Sequence, residues 1–292
     1  MNFRVFLIIA FFCVCLPSVR SRAEAGASPE SALGIFSELG QSLSEKRSVD
    51  LSCVSVGNGI ETSAFPAVVH LSFSKGMGEE SGCSGTVVGP GLILTAAHCA
   101  CEYVNAHGSF PINVNGRSYE SGSIHFHPKA AGHTCAAGHD DGKFRAEDVS
   151  TDLAILQFHA PEEISSLPKV AYAPSFVKAK VNSSVLMVGY GANQSRKVGI
   201  DRSYSGSGTL RSGSNRIQYV SDQYIEVDGD LSKGEKITLH GDSGGPMLQN
   251  GKIVAVCSEG GFSNKNSQFK MSTFVPLHTR ENQAFLKQYI SQ

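Results

Sequence analysis

Short apolar runs rich in β-branched residues, separated by glycine-containing turns, recur along most of this chain. Runs of that length with turn residues between them are typical of strands in antiparallel sheets. Beyond residue 52, the C-terminus alone shows a helical period, and Thr279 can cap that helix. The sequence therefore predicts a mostly β protein, built of barrels and ending in a helix. The predicted strands include residues 67–73, 85–88, 92–95, 152–158, 185–189 and 252–257.

The N-terminal residues carry a targeting pattern. Arg4 precedes an apolar run at 5–16, Pro17 ends that run, and Ala-Glu-Ala at 23–25 offers a cleavage site. This pattern predicts a secretory signal peptide at 1–25, because the run is too short to span a bilayer comfortably. An uncleaved N-terminal anchor is the alternative. The expected location is secreted, either periplasmic or extracellular.

Residues 26–52 differ in composition from the C-terminal remainder of the chain. They are rich in Ser, Glu and Ala, and their apolar residues recur every three or four positions, as in a short amphipathic helix. The segment is either a pro-segment that is later removed or a surface linker.

Eight cysteines are present, of which Cys13 and Cys15 leave with the predicted signal peptide. An even number behind a signal peptide favours disulfides in an oxidising compartment. No Cys-x-x-Cys pair is present, which argues against a structural zinc site. The spacing does not fix the pairs among the remaining cysteines, which are Cys53, Cys83, Cys99, Cys101, Cys135 and Cys257.

Charge and composition exclude some classes of partner. The net charge is −1, and 41% of the residues are hydrophobic, as in globular proteins. The chain has no block of Lys and Arg that would mark a nucleic-acid or membrane surface. We therefore expect no nucleic-acid partner and no stable membrane association once the signal peptide is removed.

Three segments could carry chemistry. They are Thr-Ala-Ala-His-Cys at 95–99, Thr-Asp-Leu-Ala at 151–154, and Gly-Asp-Ser-Gly-Gly-Pro at 241–246. Each has a structural explanation when taken alone: a packed histidine, a turn aspartate and a flexible loop. The third is unusual, because three glycines around one serine carry a backbone entropy cost that fold or function must offset.

Together these segments resemble the chymotrypsin/trypsin-like serine proteases, in which the order along the chain is His, Asp, Ser. The resemblance covers residues 53–292. It implies an all-β fold of two packed six-stranded antiparallel Greek-key barrels, at 53–170 and 171–292, with a C-terminal helix. It also implies a disulfide between Cys83 and Cys99. The supporting matches are His127-Pro128, Gly189-Tyr190-Gly191 and Ser258-Glu259-Gly260.

The resemblance implies a role for each residue of the catalytic site. Ser243 is the nucleophile, His98 the general base and Asp152 the residue that orients the imidazole. The backbone N–H groups of Gly241 and Ser243 form the oxyanion hole. Ser258 and Gly260 lie on the strand that pairs with the substrate backbone.

The specificity pocket departs from the trypsin pattern. Ile237 stands six residues before the nucleophile, where trypsins have aspartate, and Leu239 replaces a family cysteine. Together with Thr238 and His240 this predicts a pocket without a preference for basic side chains. Two alternatives remain: a small or apolar preference, or an acidic one if Lys270 lies on the far wall.

The segment expected to form the new N-terminus on activation also departs from the trypsin pattern. In the family a new N-terminus inserts and pairs with the aspartate before the nucleophile, here Asp242. The nearest segment is Val-Ser-Val-Gly-Asn-Gly at 54–59, which does not place the cut uniquely. The chain is either a zymogen with an unusual activation site or satisfies Asp242 in another way.

A stretch rich in histidine and aspartate at 125–141 could bind a metal. The alternative, which we favour, is a polar insertion between base and orienting residue, for which Cys101 and Cys135 could form a disulfide.

The sequence thus predicts a monomeric secreted serine endopeptidase that needs no metal or cofactor. Its predicted partners are polypeptide substrates and inhibitor proteins. A catalytically silent binding protein on the same fold and an esterase with the same triad are the alternatives.

Overall fold

The fold is taken from a computed structural model, which describes residues 56–74, 80–101, 111–130, 149–158, 162–173, 177–198, 201–262 and 268–290. The predicted signal peptide at 1–25 and the segment at 26–52 lie outside the described residues. So do Cys53, Cys135 and most of the histidine-rich stretch.

Six antiparallel strands of the N-terminal half close into a barrel in the order β2-β3-β4-β7-β6-β5. Asn115 and Gly116, both with positive φ, make the tight turn between β5 and β6, a conformation that Asn-Gly pairs adopt readily. The barrel follows a two-residue strand, β1 (Ile60–Glu61). Its strands are β2 (Val68–Ser74), β3 (Glu80–Gly89), β4 (Leu92–Thr95), β5 (Pro111–Val114), β6 (Arg117–Phe126) and β7 (Ala154–Phe158).

The C-terminal half forms an eight-stranded antiparallel sheet in the order β1-β11-β8-β14-β15-β16-β13-β12. Its six central strands take the place of the expected second barrel, but the strand order is that of an open sheet, and the two-residue strands β1 and β12 extend its edges. A separate hairpin consists of β9 (Gln194–Val198) and β10 (Asp201–Ser205). The other strands are β8 (Ser184–Gly189), β11 (Arg211–Arg216), β12 (Tyr219–Val220), β13 (Ile225–Asp230), β14 (Pro246–Gln249), β15 (Lys252–Phe262) and β16 (Phe269–Pro276).

Two short helices are α1 (Glu162–Ser165) and α2 (Arg280–Tyr289). The Thr279 side chain accepts a hydrogen bond from the Asn282 N–H, so it caps α2 as the sequence predicts. Among the described residues, no helix has the length and apolar character needed to cross a bilayer.

A continuous apolar cluster joins the two halves. Leu94 and Ile155 from the barrel pack in the same buried group as Val188, Val256 and Phe285 from the second sheet and α2. Strand β4 ends just before His98, β7 begins just after Asp152, and β14 begins just after the turn that carries Ser243. This shared core therefore fixes the elements that hold all three residues.

Candidate active site

His98 lies in the first turn of a helical segment that follows β4. The approach to that turn is fixed at Thr95, whose hydroxyl donates to the Ser84 carbonyl over 2.8 Å. A disulfide between Cys83 and Cys99 links β3 to the turn immediately after the histidine. The backbone beside His98 is therefore held by one hydrogen bond and one covalent link.

Asp152 receives three hydrogen bonds in a buried position. His98 approaches one carboxylate oxygen, Oδ2, with its ring Nδ1 at 2.7 Å and donates its backbone N–H to the other, Oδ1, at 2.8 Å. The Ser258 hydroxyl donates to Oδ2 at 2.6 Å. Burial alone would raise the pKa of Asp152, but the charge of the His98 ring and these hydrogen bonds outweigh it and lower the pKa. The carboxylate is therefore ionised and aimed at the imidazole.

Ser243 lies in a sharp turn, and its side chain faces strand β15, which carries Ser258. Its hydroxyl donates to the Ser258 carbonyl oxygen at 3.0 Å, and its own carbonyl accepts from the Ser84 N–H at 2.8 Å. The sulfur of Cys99 lies 3.7 Å from both His98 Nε2 and the Ser243 carbonyl oxygen. The far edge of the imidazole and the serine backbone thus lie beside one sulfur atom.

The glycines of the turn are required by conformation and by space. Gly241 and Gly244 have φ of 93° and 82°, in the left-handed region. A Cβ on Gly244 would lie 2.1 Å from the Thr95 hydroxyl oxygen, and one on Gly245 would lie 2.5 Å from the Val188 carbonyl. The motif is therefore a close-packed turn rather than a flexible loop.

Two backbone N–H groups in the turn at 241–246 have no hydrogen-bond acceptor among the described residues. Within the described part of the chain, neither Gly241 N–H nor Ser243 N–H donates a hydrogen bond. The carbonyl of His240 accepts from the Ala192 N–H at 2.7 Å. Because a trans peptide directs its C=O and N–H to opposite sides, this contact turns the Gly241 N–H away from Ala192. Both donors are available to an oxygen atom outside the turn.

Asp242 is buried and bonded to backbone. Its carboxylate accepts from the Gly191 N–H at 2.9 Å and from the Leu239 N–H at 2.8 Å, and it forms no ion pair with any described residue. Burial raises its pKa to about 6. A Cβ on Gly189 or Gly191 would lie 2.3 Å or 2.5 Å from this side chain, which explains the Gly-Tyr-Gly segment.

The first described residues lie next to residues 231–237, which lead to the turn that carries Asp242. Val56 is fully buried, and Gly57 forms a bridge with Ile237, whose N–H donates to the Gly57 carbonyl at 3.3 Å. The Asn58 amide donates to the carbonyls of Leu231 and Glu235, both at 3.0 Å. The segment at 56–58 is thereby anchored along the residues that lead to the active-site turn.

The residues predicted to form the specificity pocket occupy different environments. Ile237 is fully buried with Leu239 and Ala192, so apolar packing stands where the family has a disulfide. Thr238 is also buried, whereas His240 is exposed and stacks on Tyr204 with ring centroids 5.4 Å apart.

On the opposite side, Ser258 is buried and Gly260 is exposed. Lys270 is buried on the neighbouring strand β16.

Sequence reasoning missed two hydroxyl groups that organise the site. Ser258 binds Asp152 through its side chain as well as Ser243 through its carbonyl. Ser84 donates its hydroxyl to the Gly241 carbonyl at 3.0 Å and accepts from the Tyr190 N–H at 2.9 Å. The sequence pattern assigned Ser258 to the substrate-pairing strand, but no local pattern indicates either hydroxyl contact, because both join residues far apart in the chain.

The described histidines of the 125–141 stretch have structural contacts. His125 Nε2 lies 2.8 Å from the Gln157 side-chain oxygen, and its ring stacks on Tyr289. His127 is buried and packs edge-on against Phe285. Within the described residues, the one group spaced to hold a metal is His98 with Cys83 and Cys99, whose sulfurs are already joined in the disulfide.

Comparison with known proteins places this geometry in context. The Trypsin family matches residues 54–281. Trypsin, alkaline C, from Manduca sexta is 28% identical over 204 residues, which cover 67% of this chain and 76% of that one. A trypsin from Saccharopolyspora erythraea is 27% identical over 186 residues, covering 61% and 75%.

Two solved structures share the fold. Mouse neuropsin, a serine protease, has a TM-score of 0.54 at 18% identity, covering 79% of this chain and 98% of its own. The scabies mite inactivated protease paralogue S-D1 has the same TM-score and identity, covering 80% and 97%. The second shows that this fold also occurs in a protein described as inactivated.

Proposed function

Because the chain belongs to the trypsin family, we propose that it is a secreted serine endopeptidase with a preference for non-basic residues at P1, the residue whose carbonyl is attacked. The observation that carries the proposal is the set of contacts joining Asp152, His98, Ser258 and Ser243. An inactivated relative could lack any of these groups, whereas this chain retains them all.

The proposed reaction begins at Ser243. Its hydroxyl turns from the Ser258 carbonyl to His98 Nε2, gives its proton to that nitrogen and forms a bond to the substrate carbonyl carbon. Asp152 holds Nδ1 on the opposite side of the ring, so the neutral tautomer presents a basic Nε2, and the carboxylate stabilises the imidazolium that forms.

The negative charge that develops on the substrate oxygen requires donors. Gly241 N–H and Ser243 N–H have no other partner in the described chain, so they can donate to it without breaking an existing bond. Collapse of the intermediate passes the His98 proton to the leaving amine. Water then cleaves the acyl-enzyme by the same steps, with His98 again as base.

A non-basic preference follows from the charges near the pocket. Ile237 offers no carboxylate to a Lys or Arg side chain, and the basic side chain of Lys270 is buried on the adjoining strand. Peptide substrates and protein inhibitors would share this cleft. We propose that the enzyme is secreted, on the basis of the N-terminal signal pattern, and that it acts as a monomer.

The test is labelling with a fluorophosphonate, followed by casein cleavage. The native protein should take up one label per chain and cleave casein, and Ser243→Ala should do neither while keeping the native unfolding temperature. Resistance to the label in both the full chain and a form that begins within residues 54–56 would support a catalytically silent binding protein. Labelling with hydrolysis of esters but not of peptides would support an esterase.

A further inference from the structure

One face of the second sheet carries a lysine next to two glycines. Lys270 and Ser272 project from the same face of β16, because side chains alternate along a strand. Gly229 pairs with Lys270, and Gly260 pairs with Ser272. A Cβ on Gly260 would lie 3.0 Å from Lys270 Nζ, so the absence of a side chain there makes room for the ammonium group.

The residues just before the nucleophile turn cover this face. A Cβ on Gly229 would lie 2.5 Å from a side-chain carbon of Ile237, so Ile237 lies over the same face as Lys270. Gly260 is exposed and comes two residues after Ser258, whose carbonyl accepts the Ser243 hydrogen bond. The ammonium group therefore lies under the exposed strand edge beside the nucleophile, between residues 237–238 and 258–260.

Lys270 has no direct partner for its charge. It is 6% exposed, and its ammonium group forms no hydrogen bond or ion pair with any described residue. A buried cation without such partners is costly to the fold. Burial lowers the pKa of Lys270, while charges on Cys257, Asp242 and Glu259 act to raise it.

None of these three groups is a close counter-ion. Burial raises the pKa of the Cys257 thiol to about 12, so the thiol is neutral near physiological pH. Asp242 already accepts two backbone hydrogen bonds, and Glu259 is exposed. A ligand carboxylate would supply the ion pair that the described residues do not provide.

Two neighbouring hydroxyl groups are also unsatisfied. The hydroxyl oxygens of Thr238 and Ser272 are buried and make no hydrogen bond of standard geometry in the described chain, although the Cys257 thiol interacts with Thr238. Ser272 lies two residues along the same strand face as Lys270, and Thr238 directly follows Ile237. Buried polar atoms are normally paired, so a buried lysine without an ion pair beside the Ser272 and Thr238 hydroxyls indicates an anionic ligand.

We propose that Lys270 is a specificity-determining residue that binds the carboxylate of a glutamate or aspartate side chain at P1. The inference rests on the proposed endopeptidase function and names its substrate class. Thr238 and Ser272 would donate their hydroxyls to the same carboxylate, and Gly260 leaves the approach open.

A second role for Lys270 would predict a different result. If its charge only supports Asp242, its loss would disturb the nucleophile turn and reduce cleavage of every substrate alike. A P1 role changes the ranking of substrates and leaves the reactivity of Ser243 intact.

The experiment compares peptides that differ only at P1, with Glu, Asp, Gln, Leu or Lys. It uses the native protein, Lys270→Met, Lys270→Arg and Lys252→Met, the last removing an exposed lysine from β15 as a matched control. The native protein should cleave after Glu or Asp with kcat/KM at least about tenfold above that for Gln, because a charge-assisted hydrogen bond is lost with Gln. The Glu and Asp peptides decide which acidic residue fits.

Lys270→Met should remove the preference for Glu over Gln, raise the relative rate for Leu and retain fluorophosphonate labelling. Lys270→Arg should keep the acidic preference, and Lys252→Met should match the native protein. Equal cleavage after Glu and Gln by the native protein would overturn the proposal, even if Lys270→Met failed to fold. A parallel loss of labelling and of all substrates in folded Lys270→Met would assign Lys270 to Asp242 instead. Failure of both the full chain and a form that begins within residues 54–56 to be labelled would refute the endopeptidase function itself.

Discussion

The hydroxyl group of Ser258 donates a 2.6 Å hydrogen bond to Asp152 Oδ2, the oxygen that also contacts His98 Nδ1. The bond crosses from the second sheet to the end of the barrel and joins residues that carry no common motif. It gives Asp152 a fixed orientation that does not depend on the histidine.

Ser258→Ala tests this link. The substitution keeps the backbone carbonyl that faces Ser243 and removes one hydrogen bond to a buried carboxylate, a loss of about 1.5–3 kcal/mol for a charged acceptor. We expect kcat to fall roughly tenfold or more with little change in KM. Steady-state kinetics on one peptide give the answer, with Ser72→Ala, a buried serine on β2 of the barrel, as control. Equal kcat in Ser258→Ala and the native protein would contradict this role.

Asp152→Asn should reduce kcat by about 10⁴-fold, because an amide at this position favours the wrong imidazole tautomer. The fold should survive, as the amide has nearly the same shape as the carboxylate. Residual activity would be measured on purified protein alongside thermal unfolding. A loss below about tenfold would separate Asp152 from the mechanism.

The pH profile follows from the same pair. The pKa of Asp152 is lowered, so its carboxylate stays ionised in any assay above about pH 4 and adds no acid limb there. Activity should rise with pH, because His98 must be neutral to accept the Ser243 proton. Because the pKa of Asp152 is lower in the folded chain than in the unfolded chain, its ionised carboxylate stabilises the fold. This stabilisation is present above the ordinary pKa of 3.8 and is lost as the pH falls below it. A flat kcat/KM between about pH 5 and 9 would contradict the assignment of His98.

Asp242 should make the uncut chain less stable as the pH rises. Its pKa is about 6 in the folded chain against an ordinary 3.8, so the folded state holds the proton more tightly. The stability this provides is complete below about pH 4 and is lost through about pH 6, a change of about 3 kcal/mol. Urea unfolding of Ser243→Ala, with and without Asp242→Asn, isolates the effect. Any constant cost of the amide cancels when the difference is followed across pH, and a difference that does not vary would contradict the prediction.

The mature N-terminus should lie within residues 54–56. Gly57 and Asn58 are already anchored to residues 231–237, and Asp242 is a buried carboxylate that forms no ion pair in the described chain. A new ammonium group within residues 54–56 could form that ion pair, which would lower the pKa of Asp242. N-terminal sequencing of the active protein tests this directly. Full activity in a chain that begins before residue 54 would show that Asp242 needs no such partner.

The triad segments and the barrel strands could be predicted because local residue types demand them. Gly241 and Gly244 are glycine for φ, and the apolar strands alternate with turns that their sequence encodes. The contacts of Ser84 and Ser258 could not be predicted, because each joins parts of the chain that only the fold brings together. From the sequence, Lys270 could be placed near the specificity pocket only by counting residues along the chain. Its burial depends on glycines in two neighbouring strands.

The apolar cluster that joins Leu94 and Ile155 to Val256 and Phe285 has a consequence for how the molecule comes apart. Separating the halves would expose this surface to water, so neither half is a self-sufficient unit with a polar exterior. We therefore expect one cooperative unfolding transition, with hydrolysis disappearing at the same urea concentration as secondary structure. The two halves of the protein would therefore act in the reaction as one rigid body rather than as two domains that move about a hinge.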